Sequence, residues 1–194
     1  LKADEIQDSS GNLIIKEVSN AITIGASGDT ISVPSGATIN LSNATQTGVG
    51  GTNTPAWFAS LSADTSIADN TVTKIPCNTE WIDTDGAYDN SSNYRFTVPS
   101  GKGGKYYVHA SVRNGTSTDF DSFYLYLRKN GSDYLFNSIR SEFRETTEIN
   151  NVIPLADGDY VEAFVYQGSG GSINITGSGS TPFATNFSGY KIIE

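Results

Sequence analysis

The sequence holds one histidine, His109, and one cysteine, Cys77, which limits the chemistry that its side chains can perform. A Ser-His-Asp triad would have to use His109, which lies in the middle of the alternating segment YYVHASV. If Tyr106 and Val108 face the core, His109 lies on the outer face of a sheet or at a subunit contact. A zinc site would be short of ligands, and Cys77 is predicted to be a small buried apolar side chain. We therefore expect a protein that is not an enzyme.

Acidic residues cluster in the segment WIDTDGAYDN and again at Asp119 and Asp121. Calcium prefers several oxygen ligands from one loop, which Asp83, Asp85 and Asp89 could supply. The segment lacks the spacing and the terminal Glu of an EF-hand, so a solvated acidic loop is the favoured interpretation and calcium the alternative. Paired carboxylates for glycoside hydrolysis need a defined separation in space, and no pair stands out. We expect no cofactor.

Aromatic residues alternate with aliphatic ones in two segments. In SFYLYLRK, Tyr124 and Tyr126 alternate with Phe123, Leu125 and Leu127, and in YVEAFVYQ, Phe164 and Tyr166 alternate with Ala163 and Val165. If the aliphatic residues face a core, the opposite face of the same strands is unusually aromatic. Such a face indicates either an interface or a set of ordinary amphipathic surface tyrosines.

Receptor recognition would lie on loops at an exposed end, because loops carry recognition on rigid scaffolds. The candidate loops are residues 81–93, 114–121 and 168–182. The candidate receptor-facing side chains are Trp81, Asp83, Asp85, Tyr88, Asp119 and Asp121.

The composition excludes several classes of protein. A net charge of −9 and a pI near 4.5 would repel a phosphate backbone, so no nucleic-acid partner is expected. No run of about 18 consecutive apolar residues is present, so no membrane insertion by a helix is expected. A lone cysteine does not support a disulfide-stapled module. No signal peptide is visible, and a chain without Met that starts at Leu1 is expected to be a fragment or a processed product.

The spacing of apolar residues divides the chain near residue 50. Residues 13–41 contain i, i+2 apolar pairs separated by turn signals such as PSGA. The pairs are Leu13 and Ile15, Ile22 and Ile24, Ile31 and Val33, and Ile39 and Leu41. Such short strands bury little surface within one chain, so residues 1–46 are predicted to form a slender trimeric β stalk or collar. A loosely ordered polar leader is the alternative. Residues 47–54 are predicted to be a flexible linker, and residues 55–194 form the head.

From Trp57 onward, short alternating segments follow one another without a clear helix. Asn130 and Gly131 predict a tight hairpin turn. The segment 138–150 fits a helix or a strand by its spacing, and the strands on both sides favour a strand or a loop. The strand candidates are residues 56–62, 71–77, 94–98, 105–112, 122–129, 134–139, 149–155, 160–167, 173–176 and 187–193. These predict an all-β fold with two packed sheets or a barrel.

Several blocks of residues 56–194 resemble, in order, the globular head of complement component 1q. YRFTVPSGKGGKYYVHASV is similar to that family's Phe-x-x-Pro-x-x-Gly-x-Tyr block, and LYLRKNG, VIPLADGDYVEAFVYQ and FSGYKII follow as its later strands do. The resemblance implies a ten-strand jelly-roll sandwich, similar to the tumour-necrosis-factor ligands, that assembles as a homotrimer through one sheet. It favours the interface interpretation of the outward side chains. The predicted trimer-interface residues are Tyr107, His109, Tyr124, Tyr126, Phe164 and Tyr166.

The segments LKADEIQDSSGNLIIKEV and GDTISVPSGATINLSNAT resemble parts of bacteriophage tail fibres and other virion appendages. This resemblance implies a virion structural protein whose partners are other virion proteins and a host surface glycan or protein. The first alternative is a secreted or cell-surface adhesin with the same head. The second is the trimerisation cap of a polysaccharide depolymerase.

Overall fold

The computed structural model describes residues 5–7, 9–11, 13–18, 21–25, 27–39, 53–115, 120–141, 145–179 and 184–193. Every regular element in these residues is a β-strand, and none is a helix. The all-β prediction is therefore confirmed. The chain divides into two compact units, Leu1–Thr47 and Gly48–Glu194, which we call the N-terminal unit and the C-terminal unit.

Three short antiparallel strands form the N-terminal unit: β1 (Glu5–Gln7), β2 (Leu13–Val18) and β3 (Ala21–Ile24). The first two predicted apolar pairs thus lie in strands. The third pair does not, because residues 27–39 contain no strand and include a turn in which the Ala37 amide donates to the Pro34 carbonyl at 3.1 Å. Of the fourth pair, Leu41 lies outside the described residues.

Aliphatic side chains of the N-terminal unit are exposed in the single chain. Ile22 is 70% exposed and Ile31 is 61% exposed, whereas the exposed fraction of a core side chain is close to zero. The remaining large exposed members of this set are Ile6, Ile14, Ile15, Ile24, Val33 and Ile39. This unit therefore leaves apolar surface without a covering layer of its own.

The described residues of the C-terminal unit contain thirteen strands. They are β4 (Ala56–Ser60), β5 (Thr65–Ile67), β6 (Thr73–Lys74), β7 (Thr79–Asp83), β8 (Tyr88–Asp89), β9 (Arg95–Thr97), β10 (Gly104–Arg113), β11 (Phe120–Lys129), β12 (Ser132–Ser141), β13 (Thr146–Leu155), β14 (Tyr160–Gln167), β15 (Ile173–Ile175) and β16 (Asn186–Lys191). Every predicted strand is present in this set. The short strands β5, β7 and β8 were not predicted.

Two larger sheets pack as a sandwich, which confirms the predicted jelly-roll architecture. One has five strands in the order β13-β10-β16-β4-β7. The other has six strands in the order β12-β11-β14-β9-β8, with β6 also paired to β14. A small two-stranded sheet joins β15 to β5. All pairs are antiparallel, as expected for a sandwich whose strands each bury one face.

Alternation along the strands decides which residues form the core. In β10, Tyr106, Val108 and Ala110 are fully buried, whereas the residues between them point outward. In β11, Leu125 and Leu127 are buried in the same way. Burying one side of each strand removes apolar surface from water and leaves the other side available for contacts with other molecules.

Aromatic packing fixes the first and last strands of the head to each other. The ring of Trp57 in β4 stacks on Phe96 at a centroid distance of 3.9 Å and meets Phe187 of β16 edge-on at 5.6 Å. All three side chains are almost completely buried. The two termini of the C-terminal unit are thereby held in one core.

The segment 138–150 fitted a helix or a strand, and its described residues lie in β12 and β13 apart from Glu145. The turn between β11 and β12 is the predicted tight hairpin, since Asn130 and Gly131 have φ values of 51° and 79°. Positive φ at both central residues is the conformation that gives a two-residue hairpin the right twist.

Candidate functional site

The outer face of the five-stranded sheet, which we call the five-strand face, is apolar around Tyr107, whereas Lys105 and Glu148 lie at its margins. Tyr107 of β10 pairs with Tyr190 of β16 and with Val152 of β13, and the two tyrosine rings lie 5.4 Å apart. Phe58 of β4 pairs with Ile82 of β7 one row along. The rows enclose a shallow depression of about 310 Å³. Its lining residues are Ala56, Trp57, Phe58, Ile82, Tyr107, Ser188, Gly189 and Tyr190.

His109 lies at the edge of this depression, as expected for a residue opposite the buried Val108. It pairs with Ser188 and Asn150, and its Nε2 is 3.9 Å from Oε2 of Glu148. In the part of the chain that the structure describes, no hydrogen bond joins His109 to a serine hydroxyl. The geometry is that of a mostly buried histidine, 20% exposed, beside an exposed carboxylate.

The outer face of the six-stranded sheet, which we call the six-strand face, carries an aromatic cluster. Tyr124 and Tyr126 of β11 are nearly parallel, with centroids 6.1 Å apart. Tyr166 of β14 meets Tyr124 edge-on at 5.6 Å, and its hydroxyl donates to Asn70 at 2.7 Å. Phe136 of β12 lies 6.2 Å from Tyr126. The predicted alternation of aromatic and aliphatic residues in β11 and β14 is therefore present.

Charged groups cover the other end of the six-strand face. The Arg128 guanidinium lies 4.2 Å from the centroid of Phe164, and its Nε pairs with Asp133 at 2.6 Å. The Lys74 ammonium lies 5.4 Å from the same ring and pairs with Glu162 at 2.6 Å. This end of the face is a network of ion pairs and cation–aromatic contacts.

The structure does not bring the six predicted trimer-interface residues together. Tyr107 and His109 lie on the five-strand face, and the other four lie on the six-strand face. The two faces point in opposite directions from the sandwich, so a contact made by one sheet includes one group and not both. The alternating pattern could not show this, since it separates the two sides of a strand without assigning the strand to a sheet.

Carboxylates in the predicted acidic loop are used to hold its backbone. Asp83 accepts from the amides of Ala87 and Tyr88, both at 2.9 Å. Asp89 accepts from the Ser92 amide at 2.9 Å and from the Asn93 side chain at 2.7 Å. These hydrogen bonds, that from the Ser92 amide first, hold the pKa of Asp89 well below its usual range. The two carboxylates thus shape the segment that contains them.

Other predicted receptor-facing residues lie in different places from those expected. Tyr88 is buried, because its ring packs near Phe187 and its hydroxyl donates to the Cys77 carbonyl at 3.0 Å. Trp81 and Asp83 belong to the edge strand β7, and Trp81 donates to the Ser60 hydroxyl at 2.9 Å.

Asp85 is exposed and lies 3.7 Å from the Lys102 ammonium. Asp121 lies in β11 and not in a loop, and the structure describes nothing of its side chain. Asp119 lies outside the described residues, as do parts of the loops 114–121 and 168–182. Of the predicted receptor-facing residues, Asp85 is the one that the structure places exposed in a loop.

Cys77 is a buried free thiol, as predicted. Burial raises the pKa of this thiol far above its usual range, which keeps it protonated and unreactive. Among the described residues, no group of three or more His, Cys, Asp and Glu side chains is placed to hold a metal ion. The same residues contain no helix long and apolar enough to cross a membrane.

Sequence reasoning missed four side chains that define these faces, namely Phe58, Ile82, Val152 and Phe136. Phe136 follows Tyr134 by two residues in a predicted strand, so alternation could have placed both aromatic side chains on the same face. Alternation could not assign Ile82 to this face, because Ile82 lies in β7, which was not predicted as a strand. A register shift between Phe58 and Ala59 also interrupts the pairing of β4 with β7.

Comparison with known sequences gives one partial match. The uncharacterized protein YqcC of Bacillus subtilis (strain 168) is 32% identical over 107 residues, which cover 51% of this chain and 28% of that protein. The chain thus spans less than a third of the relative that it matches. No protein-family profile matches the chain.

Comparison with solved structures shows the fold. Murine APRIL has a TM-score of 0.55 at 14% identity, with 71% of this chain and 98% of that chain covered. The globular domain of the zebrafish complement 1qA protein has a TM-score of 0.52 at 14% identity, with 71% and 97% covered. The PRD1 vertex protein has a TM-score of 0.54 at 15% identity, with 73% and 99% covered. The chain therefore contains a jelly roll of the kind found in complement 1q and tumour-necrosis-factor-like proteins.

Proposed function

We propose that this chain is a structural and binding component of a phage virion, whose C-terminal unit assembles as a homotrimer through the five-strand face. The observation that carries the proposal is the apolar depression at the centre of that face. Ile82, Val152 and Tyr190 are 49%, 48% and 39% exposed there, and no charged side chain lines the central depression. Interface cores are depleted in charged residues and enriched in aromatic ones. Tyr107 and His109 then belong to the trimer contact.

The six-strand face is less suited to the same role. Assembly through it would remove the Arg128–Asp133 pair, in which the Asp133 side chain is 54% exposed, from water. Taking ion pairs out of water costs free energy that their mutual attraction often fails to recover. Tyr124, Tyr126, Phe164 and Tyr166 therefore stay on the outside of the proposed trimer.

The N-terminal unit supports assembly independently of the head. Ile22, Ile24 and Ile39 are more than half exposed, although isoleucine is among the residues most often buried. Neighbouring copies of the same short strands would cover these side chains in a stalk. The proposal therefore gives this unit the role of a trimeric stalk that carries the head.

Two observations favour a virion over other extracellular settings. The N-terminal segments resemble those of phage tail fibres and virion appendages, and one of the matching structures is a vertex protein of PRD1. In this setting the exposed loops of the head contact the host surface, and the role is adhesive and structural, without catalysis.

Introducing a negative charge on each face tests the proposed assembly. We expect Tyr190→Glu and Ile82→Glu to lower the mass in solution from about 62 kDa, three times the 20.7 kDa of one chain, toward that of one chain. Tyr134→Glu is the matched control, because Tyr134 is 43% exposed on the opposite sheet. Light scattering after size exclusion gives the mass, and far-ultraviolet circular dichroism confirms that each variant is folded. Folded variants of Tyr190 and Ile82 that keep the trimer mass would refute this interface.

A further inference from the structure

A groove of about 420 Å³ crosses β11 and β12 on the six-strand face. Four aromatic side chains, one leucine and one carboxylate line it. The lining residues are Tyr124, Tyr126, Asp133, Tyr134, Leu135 and Phe136. Phe136 is 64% exposed and Tyr134 is 43% exposed, so the groove opens to solvent. The proposed assembly through the five-strand face does not use this groove.

The walls of the groove are held in place by contacts outside it. Tyr166 supports Tyr124 edge-on, and its hydroxyl is fixed by Asn70. Arg128 holds Oδ1 of Asp133 at 2.6 Å while lying over Phe164, which keeps that carboxylate at the rim. A site whose side chains are already ordered loses less entropy when a ligand binds.

Aromatic rings on this face already contact cationic side chains of the protein itself. Arg128 and Lys74 lie over Phe164, and Arg95 lies 4.1 Å from the centroid of Tyr160. Among the described residues, no cation lies over the four rings that line the groove. The negative face of an aromatic ring attracts a cation, and it does so best when the cation is weakly hydrated.

We propose that the groove over β11 and β12 binds an organic cation, with a quaternary ammonium group held by the rings of Tyr124, Tyr126, Tyr134 and Phe136 beside the carboxylate of Asp133. Arg128 engages Oδ1 of Asp133, and among the described residues no hydrogen bond uses Oδ2. The net charge of −9 draws cations toward the protein at long range. The chemical class is thus an alkylammonium group, whether free in solution or displayed on a larger molecule.

The field of the carboxylate extends into the groove. Burial first, and the charge of Asp133 second, raise the pKa of Tyr126, and the nearby Arg128 guanidinium acts in the opposite direction. A negative potential that opposes ionisation of a tyrosine hydroxyl stabilises a cation placed beside the same ring. This effect supports the choice of a cation over a neutral ligand.

Choline is the probe for this site, and its neutral carbon isostere is the matched control ligand. Titration of the full 194-residue chain by proton NMR measures the dissociation constant, and saturation transfer from aromatic ring protons to the choline methyl groups locates the contact. We expect choline to bind measurably more tightly than the isostere, which has the same shape without the charge. Equal binding of the two ligands, or no binding of choline, would overturn the proposal.

Variants assign the binding to the groove. We expect Phe136→Ala and Asp133→Asn each to weaken choline binding about three- to tenfold. Val72→Ala is the control, because Val72 is 39% exposed and does not line the groove. Unchanged affinity in both groove variants would show that choline binds elsewhere. If neutral lactose binds as tightly as choline or more tightly, the groove is a sugar-binding surface and the cation proposal is wrong. The mass of the chain is measured separately, so failure here leaves the proposed assembly standing.

Discussion

Gly189 makes room in the core for the ring of Trp57. A Cβ at this position would overlap the indole ring and would lie 2.6 Å from the carbonyl oxygen of Tyr107. Neither neighbour can move easily, because Trp57 is stacked on Phe96 and the Tyr107 carbonyl belongs to the strand backbone. The glycine in the terminal segment FSGYKII therefore has a packing function that no other residue can supply.

Gly189→Ala tests this packing. We expect it to lower the free energy of unfolding by about 1–3 kcal/mol or more, since an added methyl group must displace a well-packed ring. Urea unfolding followed by tryptophan fluorescence measures the change. Gly171→Ala is the control, because a Cβ there meets no atom within 4 Å. Equal stabilities of the two variants would be inconsistent with this account of Gly189.

Alternation, at the residue scale, correctly predicted the inward side chains of β10, β11 and β14. It also predicted that His109 lies outward, and the residue type predicted that Cys77 is buried. The loop assignment failed for Tyr88, whose ring packs near Phe187 and whose hydroxyl donates to the Cys77 carbonyl in the interior. A loop-like composition does not show whether an aromatic residue folds back onto the core.

At the scale of elements, Asp159 joins two hairpins of the head. It lies before β14, and its carboxylate accepts from the Ala156 amide at 2.8 Å. It also accepts from Asn130 at 2.7 Å and from the Lys129 ammonium at 2.9 Å, next to the turn between β11 and β12. These interactions, with Lys129 first and Asn130 second, lower the pKa of Asp159 to about 2.

A carboxyl whose pKa is lowered by folding stabilises the folded state above its unfolded pKa. That stabilisation is lost as the pH falls from about 4 toward about 2. We therefore expect Asp159→Asn to lower stability at pH 7 by about 1 kcal/mol after allowance for solvent screening. The difference from the wild type should shrink as the pH approaches 2.

Chemical denaturation at several pH values measures this linkage. Glu80→Gln serves as the control, because Glu80 is an exposed strand carboxylate. A difference between wild type and Asp159→Asn that stays constant from pH 7 to pH 2 would argue against the contacts described for Asp159.

Long strands could be predicted from the sequence, whereas three shorter ones, β5, β7 and β8, could not. β10 to β14 alternate over eight or ten residues, which is enough for the pattern to stand out. β5 and β8 have three and two residues, and they exist because β15 and β9 pair with them. Pairing between distant segments is a property of the folded chain. For the same reason, the sequence could not show that β11 and β12 enclose a groove.

At the scale of the whole molecule, both units expose large aliphatic side chains that are usually buried. The N-terminal unit exposes Ile22 and Ile31, and the C-terminal unit exposes Ile82 and Val152 on one face. Large apolar side chains that recur on one surface indicate a contact with another molecule. Contacts with further copies of the same chain would bury the exposed side chains of both units. Self-assembly is therefore the main part of the proposed function.

Mass in solution tests this central claim most directly. The unmodified chain, measured by light scattering over a series of dilutions, should have a mass of about 62 kDa, three times the 20.7 kDa of one chain. The trimer mass should persist on dilution if the five-strand face and the N-terminal isoleucines both contribute. A folded protein with a mass near 20.7 kDa at every concentration would contradict the account.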